Sequence, residues 1–227
     1  INTNVLEVAR IKGVSKLLSF LSTCIFPDKC DYPLKAEDLH KGPPHSSNFG
    51  YAHAKRMLEV QSRAYRTEWE CDFINVVGTN IYGPNDNFSL NDGHAVAALI
   101  HRCFLAKKNK TDLTVWGSGA PLREFVLADD VARLAMWAID NYKGEEPLIL
   151  SSGIETSIKE LVNLIAKKMD FSGKIIFDSS KPDGQLRKPS DSDTLKKYLL
   201  DFKFTPLAEG IEKTVKWFIE NYPDIRK

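Results

Sequence analysis

The sequence predicts an α/β protein built on a doubly wound parallel sheet, with a second, smaller α/β domain. Short apolar runs alternate along the chain with longer segments whose apolar residues recur at helical spacing. Glycine and proline mark the turns between these segments, and no internal repeat or low-complexity tract interrupts them. Strands that alternate with helices favour a parallel sheet, in which functional side chains lie at the carboxyl ends of the strands.

The first half of the chain predicts two helices and two buried strands, with a long loop in the middle. Gly13 follows the first helical pattern at the position where a C-cap belongs. The loop over residues 27–48 is rich in proline, aspartate and serine, and its unusual length suggests a functional role. The elements predicted here are a helix over 3–12, a strand over 16–22, a helix over 51–68 and a strand over 73–77.

The second half continues the alternation. Ser157-Ile-Lys-Glu160 is a capping box that opens one helix, and Thr205-Pro206 is typical of an N-cap followed by proline at the first helical position. The helices predicted here cover 94–107, 129–141, 157–169 and 205–221, and the strands cover 113–116, 124–127, 148–150 and 174–177.

Composition and charge exclude several classes of protein. The 227 residues are 43% hydrophobic and carry 31 basic against 30 acidic side chains, a net charge of +1. This balance gives no reason to expect nucleic acid or a membrane as partner, and no apolar run approaches the ~18 residues of a membrane span. The four cysteines form no CxxC pair, so neither a metal site nor a disulfide framework is indicated. We therefore expect a reduced, cytoplasmic location.

The sharpest local motif is Tyr51-Ala-His-Ala-Lys55 at the start of the long predicted helix. Residues four apart lie on one helical face, so the phenol and the ammonium group can meet the same ligand. A cation near a phenol lowers its pKa, which would make Tyr51 a general acid for a carbonyl that becomes an alcohol. Taken alone the motif is weak, because a tyrosine and a lysine at this spacing are usually just neighbours.

A second group of candidates follows the strand over 16–22. Ser22 and Cys24 come at its carboxyl end, where a parallel sheet presents ligands. The hydroxyl of Ser22 can donate a hydrogen bond to a substrate oxygen beside Tyr51. The alternative is that Ser22 merely ends the strand and that Cys24 is a small buried hydrophobic residue.

The order of serine, long loop and Tyr-x-x-x-Lys helix resembles the extended short-chain dehydrogenase/reductase superfamily, which has a Rossmann-like fold. The segments Asn80-Ile-Tyr-Gly-Pro84 and Arg123-Glu-Phe-Val, with Asp129-Asp130, resemble its sugar-nucleotide branch. More narrowly, the whole chain resembles the GDP-L-fucose synthase family, and the pair Cys24 and His94 is the most discriminating part of the likeness. The blocks that carry it are Ser22-Thr-Cys-Ile-Phe-Pro27, Asn80-Ile-Tyr-Gly-Pro-Asn-Asp-Asn-Phe88, Gly93-His94, Val115-Trp-Gly-Ser-Gly119 and Lys181-Pro-Asp-Gly184.

The resemblance implies a reaction and the residues that carry it out. A 4-keto group acidifies the hydrogens on the flanking carbons C3 and C5, so inverting those centres needs a base on one face and an acid on the other. The family assigns the base to Cys24 and the acid to His94, whose alternative role is to cap a helix. Ser22 and Tyr51 would bind the C4 oxygen as enolate charge develops. Tyr51 would then protonate that oxygen during reduction by NADPH, while Lys55 would hold the nicotinamide ribose.

The resemblance also implies contacts for NADPH and for the nucleotide sugar GDP-4-dehydro-6-deoxy-D-mannose. The residues that match the cofactor-lining segments are Phe20, Leu21, Ser22, Thr23, Lys55, Gly78, Thr79, Asn80, Ile81 and His94. The residues that match substrate-binding positions are Arg102, Trp116, Arg123 and Asp183. An arginine suits a pyrophosphate and a tryptophan can pack on a ring. Arg102 could equally be a solvated helix residue, and Asp183 part of a plain Pro-Asp-Gly turn.

One part of the family pattern is missing. No Gly-x-x-Gly-x-x-Gly motif occurs in the chain, and Ile1 is not an initiator methionine. We therefore expect the N-terminal part of the Rossmann-like domain to be missing. The chain alone should then bind dinucleotide poorly and tend to aggregate. The preference for NADP over NAD rests on the resemblance.

The predicted organisation has two domains. Residues 1–82 with 124–150 are assigned to the NADP-binding domain, and residues 83–123 with 151–227 to the sugar-nucleotide substrate domain. The resemblance implies a homodimer in which the helix of Tyr51 pairs with its twin. Two alternatives stay open. The chain could be another NAD(P)-dependent sugar-nucleotide epimerase, reductase or dehydratase, or a truncated isoform that is a non-catalytic partner of a full-length subunit.

Overall fold

Eight strands and seven α-helices follow one another along the chain, and a computed structural model describes residues 1–227. The helices are α1 (Asn2–Ile11), α2 (Phe49–Trp69), α3 (Ala95–Asn109), α4 (Ala128–Asn141), α5 (Ile158–Lys168), α6 (Asp193–Tyr198) and α7 (Leu207–Asn221). The strands are β1 (Leu17–Ser22), β2 (Phe73–Gly78), β3 (Asn80–Tyr82), β4 (Leu113–Trp116), β5 (Leu122–Leu127), β6 (Leu148–Leu150), β7 (Glu155–Ser157) and β8 (Ile175–Asp178). Three short 3₁₀ turns lie between β1 and α2.

The predicted α/β class is confirmed, and every predicted helix and strand is present within a few residues of its expected bounds. Gly13 follows α1 with a φ of +62°, the left-handed conformation that lets a glycine end a helix. The capping box of α5 is formed as the sequence indicates, because Ser157 and Glu160 bond to each other's backbone N–H groups. Local signals of this kind were therefore sufficient to place the main elements.

Four features differ from the prediction. The strands β3 and β7 are three residues long, too short to show an alternating pattern, and α6 is a six-residue helix in a polar segment. Thr205 does not cap the last helix, and Pro206 takes the N-cap position instead. The backbone N–H and the hydroxyl of Thr205 donate to the carboxylate of Asp130 at 2.7 and 3.2 Å, a partner 75 residues away in the chain.

The first compact unit comprises residues 1–79, 131–153 and 189–202. Its parallel sheet has the order β1-β2-β6, and all six residues of β2 are buried. The register places Ser22 beside Gly78, so the carboxyl ends of β1 and β2 adjoin. Glu7 on α1 accepts hydrogen bonds from Arg10 and from the hydroxyl of Tyr65 on α2, and these partners lower its pKa to about 2. This contact joins α1 to the long helix.

The two units differ from the expected domain bounds at four segments, since 80–82 and 124–130 belong to the second unit and 151–153 and 189–202 to the first. The segment 189–202 is the longest of them. Leu34 pairs with Ser190 in an isolated bridge, through backbone hydrogen bonds of 2.9 Å on either side. The ring of Tyr198 packs edge-on against Tyr142 at 5.3 Å. These contacts involve residues far apart in the sequence, and for this reason the segment belongs to the first unit.

The second compact unit comprises residues 80–130, 154–188 and 203–227. It has a sheet of order β3-β5-β7, in which β3 and β5 are parallel and β7 is antiparallel, and a separate parallel pair, β4-β8. The fully buried Phe88 and Phe218 pack against each other with ring centroids 4.9 Å apart. Ile100 of α3 is also fully buried in this core, which fixes the helix that begins directly after His94.

Two further observations concern the chain as a whole. None of the helices combines the length and apolar character that a transmembrane segment requires. No three His, Cys, Asp or Glu side chains are grouped in a way that could hold a metal ion.

Candidate active site

The carboxyl end of β1 leads directly into a tight turn that carries Cys24. Ser22 ends the strand in an extended conformation, and its hydroxyl oxygen accepts a hydrogen bond from the backbone N–H of Cys24 at 3.3 Å. This contact caps the 3₁₀ turn Thr23–Ile25, because a serine at a helix start satisfies an otherwise unpaired N–H group. The thiol is free and only partly buried. Cys24 is therefore not fully buried, which differs from the alternative of a small buried hydrophobic residue.

Tyr51 and Lys55 lie in the first turns of α2, on the face that meets β1. The ammonium group of Lys55 donates to the backbone oxygen of Phe20 at 2.7 Å, which ties the helix to the strand. Tyr51 is about half exposed, and the hydroxyl of Ser22 is close enough to affect the pKa of its phenol. The structure thus brings Ser22, Cys24, Tyr51 and Lys55 together, as the sequence predicted.

Burial controls the electrostatics of this group. It raises the pKa of the Tyr51 phenol, as does the nearby Cys24, while the hydroxyl of Ser22 acts in the opposite direction. Burial also lowers the pKa of Lys55. The sequence predicts that Lys55 lowers the pKa of Tyr51, whereas in the structure the desolvation of the phenol raises it. The phenol is protonated at neutral pH with or without this shift, because its ordinary pKa is about 10, and the shift itself makes it a weaker acid.

Several predicted cofactor residues line the same end of the sheet. Phe20 is 39% exposed although it lies within β1, whereas the side chain of Leu21 is buried in the core. Thr79 directly follows β2, and its hydroxyl is buried without a hydrogen-bond partner. An unpaired buried hydroxyl and an ammonium group beside two strand ends suit the hydroxyl, amide and phosphate groups of a dinucleotide. These residues therefore fit the cofactor.

The remaining predicted cofactor residues belong to the second unit. Asn80 begins β3, and its side-chain amide donates to the backbone oxygen of Glu124 at 2.7 Å. This bond fixes the short strand against β5. Ile81 follows within β3, and His94 lies further along, just before α3.

The loop before His94 is held by its own hydrogen bonds. Asn87 accepts from the backbone N–H of Ser89 at 3.1 Å, and the hydroxyl of Ser89 accepts from the backbone of Asn91 and Asp92. The backbone N–H of Gly93 donates to the oxygen of Ser89 at 3.0 Å. A polar sequence thus forms a fixed loop, because its asparagine and serine side chains replace regular secondary structure in satisfying the backbone.

His94 occupies the N-cap position of α3, but its side chain makes no capping hydrogen bond. His94 therefore takes the helix position that the capping alternative expected, but its imidazole does not cap the helix. The ring is 79% exposed, and its Nδ1 lies 3.6 Å from the Oδ1 of Asp86. Asp86 was not assigned a role from the sequence, although it lies within the block 80–88 that carried the resemblance.

Replacing Gly93 by alanine should destabilise the second unit. A Cβ at this position would lie 2.4 Å from the oxygen of Ser89 and 2.7 Å from that of Asn87, so the loop backbone must move. We expect a loss of about 1–3 kcal/mol, as for other overpacking substitutions. Urea unfolding measures this loss. Gly50→Ala is the matched control, because a Cβ there meets no atom within 4 Å, and unchanged stability of Gly93→Ala would contradict the prediction.

Two predicted substrate residues form a pair in the second unit. The guanidinium group of Arg102 lies over the ring of Trp116, 4.5 Å from its centroid, and donates to the backbone oxygen of Leu90 at 3.0 Å. Trp116 is 60% exposed. Arg102 is therefore not an independent solvated residue, and the pair presents a flat aromatic surface beside a fixed cation.

The other two predicted substrate residues lie where two turns meet. The carboxylate of Asp183 accepts from the backbone N–H and the hydroxyl of Ser118, each at 2.7 Å. A Cβ on Gly117 would lie 2.3 Å from this carboxylate, so the glycine allows the contact. In this structure Asp183 joins its own turn to that of Ser118, a contact that the alternative of a plain Pro-Asp-Gly turn does not include. Arg123 donates to the backbone oxygen of Leu122 at 2.7 Å, and its guanidinium group lies beside Gly184.

Comparisons with known proteins agree with this arrangement. The NAD dependent epimerase/dehydratase family matches residues 1–151. The chain is 49% identical to a GDP-L-fucose synthase of Dictyostelium discoideum, over all of this chain and 72% of that protein. It is 42% identical to a probable GDP-L-fucose synthase of Drosophila melanogaster, over all of this chain and 74% of that protein.

The fold is similar to that of a crystallised relative. A GDP-L-fucose synthetase from Naegleria fowleri, solved with bound NADP, superposes with a TM-score of 0.98 at 43% sequence identity. The superposition covers all of this chain and 73% of the relative.

Proposed function

Because the chain belongs to the NAD-dependent epimerase/dehydratase family and, within it, to the GDP-L-fucose synthases, we infer that it makes GDP-L-fucose. It epimerises GDP-4-dehydro-6-deoxy-D-mannose at C3 and C5 and reduces the ketone at C4, with NADPH as cofactor. The observation that carries this inference is the thiol of Cys24, placed in the turn that Ser22 caps and close enough to Tyr51 to affect its pKa. A simple ketone reductase needs the phenol but has no use for this thiol.

For the epimerisation we assign the proton transfers to Cys24 and His94. Cys24 removes a proton from the carbon beside the ketone, and His94 returns one from the other face of the sugar. Thiols and imidazoles suit this task because both exchange protons near neutral pH. Ser22 and Tyr51 donate hydrogen bonds to the C4 oxygen, where the negative charge of the enolate develops.

For the reduction we assign the acid to Tyr51. Bound NADPH supplies the hydride for C4. Tyr51 donates its phenolic proton to the C4 oxygen, which gains negative charge as the ketone is reduced. Lys55 and Thr79 hold the dinucleotide at the ends of the two strands. One set of groups thus serves both reactions, since each places negative charge on the same oxygen.

We propose a division of labour between the two units. The first unit carries the phenol, the ammonium group and the strand ends that suit a dinucleotide. The second unit carries the pair Arg102 and Trp116, together with Arg123, which suit the phosphates and a ring of the nucleotide sugar.

We also propose that the protein is a cytoplasmic homodimer that pairs through α2. The helices α1 and α2 pack together, and each exposes apolar side chains at helical spacing, Val5 and Val8 on α1 and Met57 and Val60 on α2. Contiguous exposed apolar patches are typical of protein–protein interaction sites. The free thiols fit a reducing compartment. Sedimentation of the wild type and of Met57→Glu tests the pairing, which requires the variant to dissociate more readily.

The function is tested by identifying the product. The protein is incubated in heavy water with GDP-4-dehydro-6-deoxy-D-mannose and NADPH, and the sugar is analysed by NMR. We expect GDP-L-fucose with deuterium at C3 and C5. A sugar that keeps the D-configuration and contains no deuterium would identify a plain reductase. Deuterium at C3 and C5 without reduction would indicate poor binding of NADPH, as expected for a chain without the glycine-rich motif, and absence of both reactions would favour a non-catalytic partner.

A further inference from the structure

We propose that Asp86 is a positioning residue for His94. Its carboxylate accepts a hydrogen bond from the Nδ1–H of the imidazole and so presents Nε2 as the atom that gives a proton to the substrate. This inference rests on the proposed role of His94 and adds a residue to which neither the sequence nor the comparisons assign a function.

The two side chains differ in burial and in hydrogen bonding, and this difference defines their roles. Asp86 is 15% exposed, and its Oδ1 accepts from the backbone N–H of Asn87 at 2.7 Å, so the carboxylate is fixed. His94 is 79% exposed, and no hydrogen bond to its ring holds it against α3. A small rotation of the ring would shorten the 3.6 Å separation to the roughly 2.8 Å of a charge-assisted hydrogen bond.

The second carboxylate oxygen of Asp86 gives independent support. Its Oδ2 is buried and has no hydrogen-bond partner. Buried carboxylate oxygens are normally paired, and an unpaired one at a functional site indicates a missing donor. The imidazole of His94 is a candidate donor, since its Nδ1 lies 3.6 Å from the other oxygen of the same carboxylate.

The loop between the two residues holds them at its ends. Hydrogen bonds from Asn87, Ser89 and Gly93 close the segment from 86 to 93 on itself. Phe88 is fully buried, and its backbone N–H and oxygen bond to Arg226 and His101. The position of Asp86 relative to His94 is therefore set by the loop and does not depend on a bound ligand.

The pairing decides which nitrogen of His94 reacts. A histidine bonded through Nδ1–H can gain and lose a proton only at Nε2. In the epimerisation the Nε2–H bond breaks and leaves its electrons on nitrogen, while the enolate electrons form the new C–H bond. The neutral ring then carries its proton on Nδ1, and Nε2 is recharged from water. Without the carboxylate, a neutral histidine exposed to water would divide between its two tautomers.

The test combines a spectroscopic signature with kinetics. ¹⁵N NMR of the imidazole reports the tautomer in the protein without substrate, with His94→Gln used to assign the signal. In the wild type we expect the neutral ring of His94 to be protonated mainly on Nδ1. In Asp86→Asn we expect the tautomer with the proton on Nε2 to become more populated. Deuterium incorporation at C3 and C5 should fall roughly 10–100-fold in Asp86→Asn, with KM unchanged. Asp92→Asn, in the same loop, is the control and should change neither the tautomer of His94 nor the rate of deuterium incorporation.

Each result decides the matter in one direction. A shift of tautomer together with slower exchange supports the proposal. A wild-type ring protonated mainly on Nε2 overturns it without any need for a variant, so a poorly folded Asp86→Asn would not leave it untested. Slower exchange with an unchanged tautomer would show a merely structural role and would also overturn it. If the His94→Gln variant incorporates deuterium at C3 and C5 at the wild-type rate, the assigned role of His94 is wrong. The tautomer measured by NMR separates that failure from the failure of the pairing between Asp86 and His94.

Discussion

Replacing Tyr51 by phenylalanine should slow the reduction of the 4-keto group by roughly 10²–10⁴-fold, the usual contribution of a general acid. The variant removes one oxygen atom and keeps the ring, so the contacts of α2 with the strand remain. Loss of the hydroxyl leaves the C4 oxygen without its proton donor and without one of its two hydrogen bonds. The rate is measured as NADPH oxidation with an already epimerised 4-keto sugar, which isolates this step.

Tyr65→Phe is the matched control for this prediction. Tyr65 lies on the same helix, and its hydroxyl donates to Glu7 rather than facing the end of the sheet. We expect the control to reduce the ketone at the wild-type rate, with at most a modest loss of stability. Wild-type reduction by Tyr51→Phe would remove the phenol from the mechanism. A comparable loss in Tyr65→Phe would show that the effect arises from the helix and not from the acid.

The elements that carry the first group of site residues could be predicted because their signals are local. The apolar run of β1 ends at Ser22, and the spacing of Tyr51 and Lys55 places both on one face of a single helix. Serine at the start of a turn caps it wherever the chain allows. None of these features depends on a distant part of the sequence.

The parts that could not be predicted depend on contacts between distant residues. Asp183 bonds to Ser118, which is 65 residues away, and in sequence it looks like an ordinary turn residue. Thr205 lies in a sequence typical of a helix cap, but its hydroxyl and its backbone N–H donate to the carboxylate of Asp130 instead. Periodicity describes a segment and its nearest turns, so it contains no information about such partners.

The direction in which the pKa of Tyr51 is shifted could not be predicted either, because it also depends on the assembled structure. The sequence shows a lysine four residues away, which alone would lower the pKa. It does not show that the phenol is desolvated in the fold or that the ammonium group is already bonded to the backbone of Phe20. Burial is a property of the assembled structure, and it reversed the expected sign.

Replacing Cys24 by serine should stop the epimerisation while sparing the reduction. Serine is nearly the same size, but its hydroxyl ionises far less readily than a thiol, so it is a poor base. The cap on the turn should survive, because Ser22 bonds to the backbone N–H of residue 24 and not to its side chain. We expect deuterium incorporation at C3 and C5 to fall roughly 10²–10⁴-fold.

Cys71→Ser provides the matched control for this substitution. Cys71 is another free, partly buried thiol of the first unit, but it follows α2 and lies at the opposite end of that helix from Tyr51. The same exchange of sulfur for oxygen there should leave both deuterium incorporation and reduction at their wild-type rates.

The most direct measurement compares two rates in Cys24→Ser: solvent deuterium incorporation into GDP-4-dehydro-6-deoxy-D-mannose, and NADPH oxidation with the epimerised ketone. If Cys24 is the base of the epimerisation and Tyr51 the acid of the reduction, the rate of deuterium incorporation should fall sharply and the rate of NADPH oxidation should stay near the wild-type value. Equal loss of both rates, or normal deuterium incorporation without the thiol, would contradict this assignment.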